Sequence, residues 1–229
     1  MRRLCAFLIL TVVKTLSHLF FQGEFVWLQG KQEKPFDNIQ LLVFLNHTSL
    51  YEPLFIQALT MKFLWRMSGH ISLPGADITL ERPIVGLFWK LMIPRITPIT
   101  RKRDDSWQNY LNSIEKDDIV FIAPEGRMKR PNGLDKHGNP MSVRGGIADI
   151  LECLDQGTMF LCFSGGLHHV QAPGEKYPTP FKKLRMNFEL FSIEEYKKRF
   201  SHLDAKEKKL AIIKDLQHRL ETNCPPDID

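Results

Sequence analysis

Apolar and polar positions alternate along the chain in short and long blocks, which predicts strands and helices in turn. Uninterrupted apolar runs such as IQLLVFLN and DIVFIA are typical of strands that are buried on both faces of a sheet. Longer segments with helical spacing lie between these runs. We predict strands at 23–30, 39–46, 96–100, 118–123, 158–165 and 184–191. We predict helices at 53–67, 82–96 (ending before Pro94), 104–116, 145–157, 192–200 and 205–221.

This alternation favours an α/β fold, a single domain with a mixed, largely parallel sheet flanked by helices. In such sheets the active cleft lies outside the carboxyl ends of the strands. His47, Arg101 and the turn PEGR (124–127) each follow a predicted strand. If those strands are parallel, the three groups meet at one edge of the sheet.

The first residues, MRRLCAFLILTVVKTLSHLFF, are a separate feature. They begin like a signal peptide, but no small-x-small cleavage site follows the apolar core. The uninterrupted apolar run is shorter than the roughly 20 residues that a span needs. We predict that residues 1–22 form a helix that lies on or dips into a membrane, held by apolar contact and by Arg2 and Arg3 near anionic headgroups. Lys14 could snorkel to the surface. The alternative is a helix packed on the protein's own core.

Charge and cysteine usage narrow the possible partners. Lys and Arg exceed Asp and Glu by 31 − 26 = 5, and the pI is about 9.0, which favours anionic partners. The four cysteines are scattered, so a reducing compartment is expected. No Gly-rich phosphate loop occurs, and no aromatics interleave with the basic runs, so nucleic acid is not expected as a partner. We therefore expect a membrane-associated protein on the cytoplasmic face.

His47 and Glu52, in the stretch LNHTSLYEP, are the first candidates for chemistry. A carboxylate bonded to one imidazole nitrogen fixes the tautomer and leaves the other nitrogen as a general base. The competing interpretation is a capping box, with Ser49 as N-cap and Glu52 at the third helical position. Pro53 counts against that register because it lacks the N–H that the N-cap carbonyl needs. On spacing alone the two interpretations stay open.

Two clusters of cations could bind an anionic substrate. Arg101 begins the run Arg-Lys-Arg at a helix start, where an anion would offset the unfavourable helix dipole. Glu125, Gly126 and Arg127 follow a predicted strand, and Arg130 comes soon after. They could hold a phosphorylated, hydroxyl-bearing acceptor, although a plain solvated turn is the alternative. His168 and His169 are adjacent, so they lack the spacing for a shared metal site.

In this order, these blocks resemble the motifs of the 1-acylglycerol-3-phosphate O-acyltransferase (lysophosphatidic acid acyltransferase) family of glycerolipid acyltransferases. NHTSLYE is similar to the family's Asn-His-x-x-x-x-Asp block, RPIVGLFWKLMIPRITPITR to its Pro-[IV]-x-Arg block with the preceding helix, and FIAPEGR to its Pro-Glu-Gly-Thr-Arg block. The similarity spans roughly residues 23–191. Within it, Glu52 stands at the family's aspartate, Arg127 at its threonine and Met128 at its arginine. The fourth block, FLCFSGGLHHV, lacks the expected proline.

The resemblance implies an acyltransferase domain at 23–229 and an acyl transfer that needs no cofactor or metal. His47 would act as general base, oriented by Glu52, on a hydroxyl of a lysophospholipid such as 1-acylglycerol-3-phosphate. The donor would be acyl-CoA or acyl-carrier protein as co-substrate. Arg101, Glu125 and Gly126, with Arg127 or Arg130, would bind the phosphorylated acceptor. A catalytically inactive relative that binds lipid or membrane is the alternative.

Overall fold

The computed structural model describes residues 2–100, 104–172 and 174–226. The helices, numbered in chain order, are α1 Arg2–Phe20, α2 Met61–His70, α3 Asp77–Leu80, α4 Pro83–Met92, α5 Ser106–Asn112, α6 Gly146–Cys153, α7 Ile193–Lys198 and α8 Ala205–Asn223, with a 3₁₀ helix at Glu52–Ala58. The strands are β1 Gln22–Trp27, β2 Ile39–Leu45, β3 Ile71–Ala76, β4 Arg95–Ile99, β5 Ile119–Ile122, β6 Thr158–Ser164 and β7 Lys183–Ser192.

The strands of the described residues form one sheet in the order β1-β7-β6-β2-β5-β3-β4. Every neighbouring pair is parallel except β6 and β7, which are antiparallel. The predicted α/β fold with a mixed, largely parallel sheet is therefore confirmed. Strands β2, β5 and β3 end at one edge, and the turns that follow β2 and β5 carry His47 and Glu125.

Both faces of the sheet are covered, because alternate residues of its central strands point to opposite sides. On β2, Leu42 and Phe44 pack beneath α2 and the 3₁₀ helix, whereas Leu41 and Val43 pack beneath α6 and α8. The whole of β2 is buried, which explains its uninterrupted apolar run.

Helix α1 packs on the same side of the sheet as α2, α4 and the 3₁₀ helix, and it contacts all three. Ala6 and Leu10 are buried, and the Lys14 ammonium donates to the carbonyls of Gln57 at 2.5 Å and Leu59 at 2.8 Å. The prediction that Lys14 snorkels to a membrane surface is therefore wrong. This lysine instead satisfies carbonyls at the end of the 3₁₀ helix.

The outer side of α1 is apolar and exposed. Leu4, Leu8, Val12, Leu16 and Leu19 are each between 45% and 64% exposed. Within the described ranges α1 is the one helix long and apolar enough to cross a membrane, judged by length and composition. The helix thus combines a face packed on the core with a second apolar face directed outwards.

One helix and one strand differ most clearly from the predicted elements. The predicted helix 53–67 is a 3₁₀ helix and α2, separated at Thr60, whose hydroxyl caps α2 by accepting from the Phe63 N–H. Strand β3 was not predicted, because its sequence ISLPGA contains a proline and a glycine. The proline is tolerated because β3 pairs with β5 through only its first two residues.

Candidate active site

The turn after β2 is held rigidly by its first residue, Asn46, which adopts a left-handed backbone conformation with φ 64°. Its N–H donates to Glu125 Oε1 at 2.8 Å, and its side-chain amide donates to the carbonyl of Ser164 at 2.8 Å. Its amide oxygen accepts from the Lys129 ammonium at 3.1 Å. These contacts tie β2 to β6 and to the PEGR turn, and they fix the position of the next residue, His47.

The side chains of His47 and Glu52 meet at this edge of the sheet. His47 Nδ1 lies 2.5 Å from Glu52 Oε2. The other carboxylate oxygen accepts from the N–H groups of Thr48 at 2.7 Å and Ser49 at 3.2 Å. The bond to Ser49 is one half of the capping box. In place of the other half, a bond from the Glu52 N–H, the Ser49 hydroxyl accepts from the Tyr51 N–H at 3.2 Å and donates to Gln171 at 2.8 Å. The carboxylate therefore both stabilises the turn and orients the imidazole.

Burial and nearby carboxylates act in opposite directions on His47. Burial lowers the pKa of the imidazole. The charge and hydrogen bond of Glu52, together with a smaller effect of Glu125, outweigh this lowering, so the pKa lies above its ordinary value. Among the described residues no group bonds Nε2, and His47 lines a cavity. This nitrogen can therefore accept a proton from a bound molecule.

Glu125 is buried beneath the turn that carries His47, with 1% of its surface exposed. Its Oε1 accepts from the N–H groups of Asn46 and His47, and no described group hydrogen-bonds its Oε2. Burial raises the pKa of this carboxyl to about 7, despite the opposing charge of His47. The predicted acceptor-binding residue thus supports the backbone that carries His47.

The predicted cations are distributed differently from the expectation. Arg101 lies outside the described residues, so its predicted role stays a prediction. Arg127 lines the cavity but forms an ion pair with Asp135. Although burial raises the pKa of Asp135, bonds from Asn139, Arg127 and His137 hold it well below its ordinary value, so the pair is ionised. Arg130 is exposed and does not line the cavity.

Arg144 is a cation at the cavity that the sequence analysis did not single out. Its Nε donates to the carbonyl of Glu125 at 3.0 Å, and its side chain passes over Gly126, which has φ 68°. Within the described part of the chain no carboxylate pairs with it. The sequence does contain a feature that could have identified Arg144. It directly precedes the predicted helix 145–157, just as Arg101 lies at the start of a predicted helix.

A cavity of about 890 Å³ opens beside His47 and extends between the sheet and helices α1, α2 and α4. Its rim carries His47, Glu52, Arg127 and Arg144. Its interior is apolar and is lined by side chains from the strands and the covering helices, including Leu42, Phe44, Phe160, Cys162, Met186, Phe188, Trp89 and Met92. A polar rim over a long apolar interior suits a molecule with a polar reacting group and a hydrocarbon tail.

Across the described residues, no three His, Cys, Asp or Glu side chains form a group that could hold a metal ion. The site consists of the His47 imidazole, its Glu52 carboxylate partner and the Arg127 and Arg144 guanidinium groups around an apolar cavity, with the buried Glu125 carboxyl supporting the turn that carries His47.

The comparisons with known proteins give a likeness in fold to solved structures. No family model and no curated protein sequence matches the chain. Among solved structures, the fold is similar to that of the 1-acyl-sn-glycerophosphate (LPA) acyltransferase PlsC from Thermotoga maritima. The identity is 14% and the TM-score is 0.50, over 93% of this chain and 80% of that chain. The resemblance seen in the motifs is thereby confirmed at the level of the fold, which this chain shares with a glycerolipid acyltransferase.

Proposed function

We propose that the protein is an O-acyltransferase that moves a fatty acyl group from a thioester to a hydroxyl of a lysophospholipid. The observation that carries the proposal is the His47–Glu52 pair, 2.5 Å apart, at the rim of a large apolar cavity. The motif order in the sequence and the fold shared with PlsC support the same chemistry.

The reaction follows from the orientation of the imidazole. His47 Nε2 takes the proton of the acceptor hydroxyl as its oxygen attacks the thioester carbonyl carbon. The imidazolium that forms is stabilised by the Glu52 carboxylate. The tetrahedral intermediate collapses with cleavage of the C–S bond, and the imidazolium returns the proton to the leaving thiolate. Acyl-CoA and acyl-carrier protein both present such a thioester, so either serves as donor.

Arg144 is the group best suited to the anionic headgroup of the acceptor. The guanidinium lies at the cavity rim, is held at one end by the Glu125 carbonyl, and has no described carboxylate partner. Arginine's planar fork matches phosphate oxygens. Arg127 is already engaged with Asp135, so we assign it to holding the PEGR turn rather than to the phosphate.

The apolar interior provides space for an acyl chain. The side chains that line it from β2, β6 and β7 are aliphatic, aromatic, thiol or thioether groups, so a buried acyl chain leaves water and packs against an apolar surface. The exposed face of α1 and the outward side chains of α4, Ile84 and Leu87, border this region and suit a lipid surface. We therefore propose that the protein works at a membrane, from which a lysophospholipid reaches the site.

Replacement of His47 by alanine tests the proposal. We expect acyl transfer from an acyl-CoA or acyl-carrier protein donor to a lysophospholipid to fall by about 10³-fold, because the general base is lost. His202→Ala, at an exposed position away from the cavity, is the matched control and should retain full activity. The acceptor panel includes phosphorylated and uncharged acylglycerols, and Arg144→Ala should lower kcat/KM only for the phosphorylated ones.

The alternative is an inactive lipid-binding relative on the same scaffold. It is favoured if the wild-type protein binds lysophospholipid but transfers no acyl group with any donor. A wild-type activity that His47→Ala leaves unchanged would also contradict the proposed mechanism.

A further inference from the structure

A segment rich in lysine and aromatic residues lies outside the active site, at 174–183, with the sequence GEKYPTPFKK. Tyr177 is 71% exposed and Phe181 is 70% exposed. Lys176 and Lys182 are also exposed, and neither forms an ion pair with any residue that the structure describes. Exposed aromatic rings beside unpaired lysines are typical of surfaces that sit at the interface between water and lipid.

The topology places this aromatic–lysine segment at the edge of the sheet that carries the active site. Strand β6 is parallel to β2, with Phe163 opposite Leu45, so both end at the edge where His47 lies. Strand β7 is antiparallel to β6, with Met186 opposite Ser164, and it therefore begins at that same edge. The segment 174–183 leads directly into the start of β7.

The segment is also attached to the end of α1. The Phe181 N–H donates to the carbonyl of Phe20 at 2.6 Å, and the two rings lie 6.0 Å apart. Phe181 adopts a left-handed conformation with φ 62°, which is unfavourable for a residue with a side chain. These contacts hold the Phe181 ring, although it is largely exposed, beside the apolar outer face of α1 that ends with Leu19 and Phe20.

We propose that the aromatic–lysine segment binds an anionic phospholipid surface and turns the active-site edge of the sheet towards the bilayer. The rings of Tyr177 and Phe181 enter the interface, while Lys176 and Lys182 pair with lipid phosphates. The inference rests on the proposed action at a membrane and adds a second contact to that of α1. One contact leaves the domain free to rotate on the surface, whereas two contacts fix which edge faces the lipid.

The test uses the full chain and two charge-reversal pairs. K176E/K182E changes the segment, and K206E/K214E makes the same change in net charge on exposed lysines of α8. Flotation is measured with vesicles of phosphatidylcholine alone and of phosphatidylcholine mixed with phosphatidylglycerol. We expect K176E/K182E to weaken binding to the mixed vesicles at least tenfold, with the control pair close to wild type. Y177S/F181S should weaken binding to both vesicle types.

Thermal unfolding of each variant verifies the fold, and the wild type is assayed for acyl transfer in neutral detergent micelles. Failure of the proposed function appears in that micelle assay, separately from the vesicle result. If K176E/K182E and K206E/K214E lost vesicle binding equally, the net charge of the protein alone would account for binding to anionic vesicles, and the inference would be overturned. Unchanged vesicle binding of K176E/K182E would also overturn it. If that variant then bound an acidic acyl-carrier protein more weakly than wild type, the segment would be a protein-binding surface instead.

Discussion

The two faces of the sheet are built from alternate residues of the same strands, yet one face is hollow and the other is solid. Under α1, α2 and α4, Phe44 and Cys162 border a cavity of about 890 Å³. Under α6 and α8, Val43 and Leu161 do not border that cavity, and the core to which they belong reaches it only at its margin, through Ile122 among its buried residues. Because protein interiors are normally close-packed, a void of this size is maintained at a cost in stability. The solid face stabilises the domain, and the hollow face leaves the space that the proposed acyl chain would occupy.

The difference arises from the covering elements. On the solid side, α6 and α8 place fully buried side chains such as Ile147, Ile150 and Ile212 against the sheet. On the hollow side, the sheet is covered by the 3₁₀ helix, α2 and α4. Several large apolar residues of α2 and α4 are directed outwards. Ile84 of α4 is 83% exposed. Apolar side chains that could otherwise fill the cavity are exposed on the outer surface, where they suit contact with lipid.

The largest effect on activity is expected at the His47–Glu52 pair, where the hollow face meets the turn after β2. Glu52→Gln keeps an oxygen that can accept from the N–H groups of Thr48 and Ser49, but it removes the negative charge beside His47. We expect kcat to fall by about 10³-fold, equivalent to about 4 kcal/mol, since the imidazolium loses its partner. Steady-state kinetics against pH measures this effect.

The pH profile supplies the control for that prediction. A general base must be unprotonated, and the raised pKa of His47 means that wild-type activity rises with pH through a value above 6.5. In Glu52→Gln the midpoint should move to lower pH. A variant that lost activity with an unmoved midpoint and a lower unfolding temperature would show that Glu52 acts only as a turn-stabilising group.

The comparison of faces is tested most directly at two adjacent leucines of β2. Leu41 is fully buried on the solid face, and Leu42 borders the cavity. Leu41→Ala should lower the free energy of unfolding by about 3.5 kcal/mol, because it opens a new void in a packed core. Leu42→Ala should lower it by about 2 kcal/mol, since part of its environment is already empty. Urea unfolding of both variants gives the difference, and equal losses would mean that the cavity is filled by relaxation in solution.

Glu125 sharpens the comparison because it is a buried carboxyl beneath the turn that carries His47. Its pKa is raised from 4.5 to about 7, so the folded state holds the proton more tightly than the unfolded chain. Its stabilising contribution is therefore full below pH 4.5 and is lost as the pH rises towards 7. The expected loss is about 2 to 3 kcal/mol. Glu125→Gln keeps the acceptor for the Asn46 N–H, but glutamine does not titrate. The free energy of unfolding of this variant should therefore fall less than that of the wild type over the same pH range.

Denaturant unfolding of wild type and Glu125→Gln at pH 5 and pH 8 measures that difference. If the free energy of unfolding changes with pH equally in the two proteins, a group other than Glu125 is responsible for the change. Activity is measured alongside, because the backbone of His47 also depends on the Glu125 oxygen.

The sequence predicted most of the framework and part of the site. Apolar runs as strong as that of β2 identified the buried strands. Spacing alone left the pairing of His47 with Glu52 open, and the resemblance of NHTSLYE to a family motif predicted it. Strand β3 was missed because its proline and glycine are tolerated only by the pairing it makes in the fold. The partner of Arg127 could not be predicted, since the bond to Asp135 depends on how a long loop closes. Arg144 was overlooked because only the fold brings it over the PEGR turn.

The smallest effect on stability is expected from filling the cavity. Cys162 of β6 borders the cavity, whereas Val43 of the neighbouring β2 lies in the solid core. Cys162→Phe adds a ring to empty space, so the free energy of unfolding should change by less than about 1 kcal/mol, while Val43→Phe should cost about 2 to 3 kcal/mol through overpacking. If the cavity holds the acyl chain, Cys162→Phe should lower kcat/KM for long acyl donors about tenfold relative to short ones, and Val43→Phe should leave this ratio unchanged. A uniform loss across donor lengths in Cys162→Phe would mean that the chain binds elsewhere, because a blocked cavity discriminates by length and a disturbed catalytic turn does not.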